Sequence, residues 1–106
     1  MKPIQLTMDM VLKMKPEEFR DTIKSQNRGF NESLKKLLAL QYDQVTRLKE
    51  GLVLLKEKDN FPNNEEREKC NKSLEELYIC LQLIEDRHNI INEYLKSLDE
   101  GLSTEN

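Results

Sequence analysis

Cys70, Leu74, Leu77, Leu81, Ile84, His88, Ile91, Leu95, Leu98 and Leu102 follow one another in alternating steps of four and three residues. Only His88 interrupts an otherwise apolar run of more than four heptads. Leu34, Leu38, Gln41, Val45, Leu48, Leu52 and Leu55 obey the same rule, with Gln41 the polar exception. A repeat of 3.5 residues keeps one seam of a helix facing a neighbour as the two supercoil. Two such runs in one short chain predict two long helices packed along a shared seam.

What lies between the runs sets their pairing. Asp59, Asn60, Phe61, Pro62, Asn63 and Asn64 combine turn-forming side chains with a proline that disfavours helix at Phe61. A short connection between long helices makes them antiparallel neighbours. The expected organisation is an N-terminal segment over residues 1–15 and a hairpin over 16–102. Its parts are a helix over 16–58, a loop over 59–64 and a helix over 65–100, with a frayed tail at 103–106. Pairing across the loop places Leu55 near Cys70, Val45 near Cys80 or Leu81, and Leu34 near Ile91.

Local signals refine these boundaries. Pro16 suits a first helical position, and Glu17 and Glu18 suit the dipole of a first turn. Asn63 or Asn64 is placed to cap the second long helix, and Gly101 to stop it. Gly29 and Gly51 fall inside the first long helix, and residues 25–29 (Ser, Gln, Asn, Arg, Gly) are its weakest stretch. Thr7 or Asp9 can cap a short helix over 8–14, where Met8, Met10 and Met14 cluster. The fold class that follows is all-α: a coiled-coil-like antiparallel helical hairpin with a short N-terminal helix, completing a three- or four-helix bundle.

Composition excludes other classes. The longest uninterrupted apolar run, Leu77 to Leu81, is five residues, against the ~20 that a spanning helix needs. The formal charge is −3, but residues 1–58 carry twelve Lys/Arg against eight Asp/Glu, hence +4. Residues 59–106 carry five against twelve, hence −7. This split favours attraction between the two arms, and the dispersed bases lack the clustering of a nucleic-acid surface. Cys70 and Cys80 fall about 15 Å apart along one helix, beyond the ~7 Å reach of a disulfide. Free thiols are expected, in a reducing, intracellular and cytoplasmic setting.

The candidate chemistry is sparse. His88, the one histidine, is followed by Asn89 and Ile90 rather than the small residues that leave room for a phosphoryl donor. Glu85 and His88 have the Glu-x-x-His spacing of a di-iron helix, but the chain holds a single such motif. Arg20, Arg28, Arg47, Arg67 and Arg87 fall mostly on outward positions, and Cys80 and His88 are too far apart to act as nucleophile and base. Neither catalytic residues, metal, cofactor nor small-molecule substrate is expected. Gln41 and His88 read as polar devices that fix the seam's register.

Apolar residues remain off the seam. Leu37, Leu40, Tyr42, Val53 and Leu54 stand on the first arm, and Tyr78, Ile79, Leu83, Ile90 and Tyr94 on the second. So wide a stripe expects a second neighbour. Leu40, Leu54, Ile79, Leu83, Ile90 and Tyr94 are therefore the candidate partner-binding residues. The implied function is a non-enzymatic protein–protein interaction module, an adaptor or scaffold subunit that dimerises or takes a helical partner. The alternatives are a chaperone or regulatory protein that binds a client helix beneath an N-terminal lid, and a histidine phosphotransfer protein.

Overall fold

The structure is a computed structural model that describes residues 7–104, with side chains described to residue 101. It is all-α, with no strand among the described residues. Four helices follow in order: α1 (Met8–Lys13), α2 (Pro16–Ser25), α3 (Arg28–Lys58) and α4 (Asn64–Thr104). The two long helices, α3 and α4, pack against each other as an antiparallel hairpin, and α1 and α2 lie against α4. The molecule is a rod of 64 × 32 × 19 Å with a radius of gyration of 18.1 Å. A compact chain of this length would have a radius near 13 Å.

Three cross-hairpin contacts fix the register expected from the loop. Arg28 Nη2 reaches Asp99 Oδ1 at 2.5 Å at the base, the end of the rod away from the loop. Lys49 Nζ stands 5.4 Å from the centre of the Tyr78 ring. Near the loop, at the tip, Cys70 Sγ lies 3.8 Å from the carbonyl of Leu52. Leu34, Leu38, Val45, Cys70, Leu74, Leu81, Ile84, Ile91 and Leu95 are buried along this seam, with Leu38, Ile84 and Ile91 wholly inaccessible. The side chains of residues 102–106, with Leu102 of the seam among them, lie outside the described ones, as do residues 1–6.

The turn is held by its own polar side chains. Asp59 adopts a left-handed backbone (φ 47°), and its N–H donates to the carbonyls of Leu55 and Lys56. Aspartate tolerates this conformation better than most non-glycine residues. Its carboxylate also meets Arg67 at 2.8 Å. Asn63 Oδ1 accepts from the Glu66 N–H at 2.9 Å, so Asn63 is the cap of α4. The connection is thus residues 59–63, and α4 begins one residue earlier than expected.

Two expected boundaries are corrected. Residues 16–58 form two helices, broken at Gln26 and Asn27. Asn27 Oδ1 accepts from the Phe30 N–H at 2.8 Å and starts α3, while Asn31 Nδ2 donates to the Ile23 carbonyl at 2.8 Å and closes α2. Asn31 is fully buried, so this second bond is made away from water. Gly29 consequently sits in the first turn of α3, where glycine costs little. At the other end α4 runs through Gly101 to Thr104, because Gly101 lacks the positive φ with which a glycine ends a helix.

Ile84 and Glu75 test the helical phase. Ile84→Asp buries a carboxylate among aliphatic side chains and is expected to cost at least about 3 kcal/mol in urea unfolding. Glu75→Ala, on an exposed position, is expected to change stability by less than about 0.5 kcal/mol.

Candidate interaction surface

The base of the rod is three layers thick because α4 carries a second apolar stripe. Leu83, Arg87, Ile90 and Tyr94 recur in steps of four and three beside the main seam. Phe19 and Ile23 of α2, one turn apart and both buried, and Val11 of α1 supply the covering surface. Thr7 Oγ1 accepts from the Met10 N–H at 3.2 Å and caps α1, the role expected of it.

Arg87 is the joint of this layer. Its side chain is 3% exposed, which corrects the expectation that it points outward. Nε donates to the Val11 carbonyl at 3.4 Å, Nη2 donates to the Met14 carbonyl, and Nη1 meets the Asp86 carboxylate. The guanidinium also lies over the Phe19 ring, 5.8 Å from its centre. Carbonyls at a helix C-terminus have no intrahelical donor, so a buried cation there satisfies them and is itself compensated. The sequence signal was present but misread: a cation in the middle of an apolar stripe.

The layer ends before the tip. There the hairpin leaves an open groove of about 670 Å³ lined by Leu48, Gly51, Leu52 and Leu55 of α3 and by Leu77 and Cys80 of α4, with Arg47, Ser73 and Glu76 at its edges. No residue of α1 or α2 lines it. Leu48 and Leu55, expected in the seam, are 62% and 54% exposed. They flank the contact line, and among the described residues no third helix covers that flank. Leu77 and Cys80 also pack against the core cluster, so the groove continues the buried layer of the base. Partial burial there pushes the Cys80 thiol above its ordinary pKa.

The six candidate partner-binding residues do not form one surface. Ile90 is buried in the core beneath the N-terminal layer, which corrects its assignment as a binding residue. Leu83 and Tyr94 are half-buried on the same stripe. Leu40, Leu54 and Ile79 are exposed but lie outside the groove, Leu54 in a separate hollow with Val53 and Tyr78. Gln41 and His88 are half-buried. His88 borders a hollow of about 520 Å³ that Lys35, Lys36, Asn92 and Lys96 also line. No group of three or more potential metal ligands occurs among the described residues. Both cysteines are free thiols, and no described helix is long and apolar enough to cross a membrane. No family model, curated protein or solved structure matches the chain.

Replacing Arg87 with alanine leaves the Val11 and Met14 carbonyls without their donor. The variant is expected to lose about 2–4 kcal/mol of stability in chemical unfolding. It should also lose amide-exchange protection in α1 before that in α4.

Proposed function

We propose that this chain is a non-enzymatic protein–protein interaction module, an adaptor or scaffold subunit that binds through the apolar groove at the tip. The observation that carries the reading is the exposure of Leu48 and Leu55 beside Leu52, Leu77 and Cys80. A contiguous apolar concavity rimmed by polar residues is a recurrent mark of a binding site, whereas scattered apolar residues are not. The base supports the reading by contrast, since there the same kind of surface on α4 is already covered by α1 and α2. In this reading Gln41 and His88 set the register of the hairpin, and the protein works in a reducing intracellular compartment where its thiols stay free.

A second reading is a chaperone or regulatory protein for a client helix, with the N-terminal helices as a lid. It is favoured by one observation: α1, only six residues long, is tied to α4 at the base of the rod by Arg87. So short a helix has little stability of its own.

A hydrophobic dye that fluoresces on apolar surfaces is expected to bind the intact chain. Leu48→Glu with Leu55→Glu should abolish that signal while the helical circular dichroism persists. Dye binding unchanged in this variant would reject the groove as the working surface. Removal of residues 1–14 separates the two readings: a several-fold rise in affinity for an amphipathic peptide helix supports the lid, and no rise rejects it.

A further inference from the structure

Across the seam from the N-terminal layer, the base of the hairpin carries a cleft of a different kind. On α4, Asn92 and Lys96 lie on the flank of the seam away from Arg87, Ile90 and Tyr94, so α1 and α2 leave that flank open. The hollow there, of about 520 Å³, has Ala39 and Leu95 as its apolar lining, and no residue of α1 or α2 borders it. Lys35, Lys36, Lys96, His88 and Asn92 stand around it. The register brings them together. Arg28 faces Asp99, and one heptad inward from that pair on each arm sets Lys35 level with Asn92.

The polar groups of this cleft are one-sided. Its two carboxylates, Glu32 and Asp99, are both taken by Arg28. Among the described residues, the side chains of Lys35, Lys36, Lys96, His88 and Asn92 make no hydrogen bond or ion pair. The next acids along the seam, Asp43 and Glu85, border the adjoining hollow beyond His88. Ammonium groups are donors only. Three of them therefore converge on a space that offers no uncommitted carboxylate, in a chain whose formal charge is −3.

We propose that this cleft binds a soluble compound bearing a diphosphate or longer polyphosphate group. Several ammonium groups at close range suit an anion that concentrates its charge on a few atoms, and its oxygens can accept from all of them. The one guanidinium in the lining is already paired with carboxylates, so the planar fork that favours a carboxylate ligand is occupied. The volume is that of a small-molecule site. The cleft is independent of the tip groove and of the reading built on it, since the two lie on opposite flanks of the seam and share no lining residue.

The test is isothermal titration calorimetry of the full chain with inorganic pyrophosphate, in about 0.1 M salt, where exposed charges act over about 10 Å. The expected result is saturable one-to-one binding with a Kd below about 1 mM. Lys35→Gln and Lys96→Gln should each weaken it by about tenfold. Asn92→Asp, which sets a carboxylate among the lysines with little change of shape, should abolish it. Lys56→Gln with Lys58→Gln removes two charges at the tip and should leave the Kd within about twofold. None of these side chains is fully buried, so circular dichroism should report unchanged folding. Absence of saturable binding, or equal sensitivity to the lysines of the tip, overturns the proposal. A chain that ignores pyrophosphate but binds phosphatidylcholine vesicles containing phosphatidic acid through Lys35 and Lys96 overturns it too, and assigns the cleft to a lipid surface.

Discussion

A layer two helices thick has no interior except the line along which the helices touch. Every other feature of this molecule answers that constraint. Along the line, Leu38, Ile84 and Ile91 are sealed from water. Away from it, an apolar side chain is covered only if a further element is laid over the pair. At the base α1 and α2 do this, and Phe19, Ile23 and Val11 become as buried as the seam itself. At the tip no described residue does, and leucines of the same heptad repeat are left facing outward.

The covering layer is joined to the hairpin by polar groups placed where apolar ones would be expected. Arg87 supplies donors to carbonyls at the end of α1, and Asn31 supplies one to a carbonyl near the end of α2. Burying a guanidinium is costly unless its charge and its donors are met, and here Asp86, two carbonyls and the Phe19 ring meet them. These bonds favour one seating of the short helices on α4, whereas apolar contact alone would tolerate several.

The hairpin was legible because periodicity is a property of many residues at once. Ten seam positions on α4 and seven on α3 outvote any single exception, and the Asn- and Pro-rich turn fixes their pairing. The break at Gln26 and Asn27 was visible only as a weak stretch. Its decisive partner, Asn31, lies a turn further on, and its bond to Ile23 exists only once α2 has folded back. Arg87 was misplaced for a similar reason: charge argues for solvent until the carbonyls that receive it are known. The tip groove was invisible for the opposite reason. Leu48 and Leu55 satisfy the heptad rule, and only the absence of a third helix beside them turns seam residues into surface.

The uneven thickness of the rod also has an entropic consequence. Segments with few buried neighbours open at lower free energy than those sealed on both sides. The end beyond Val45 and Cys80 therefore breathes more readily than the end beneath the N-terminal helices. Whatever settles there must quench that breathing as it lands, and part of its contact energy is spent on doing so. Association at the loop end would then be weaker than its greasy lining suggests, and readily reversed.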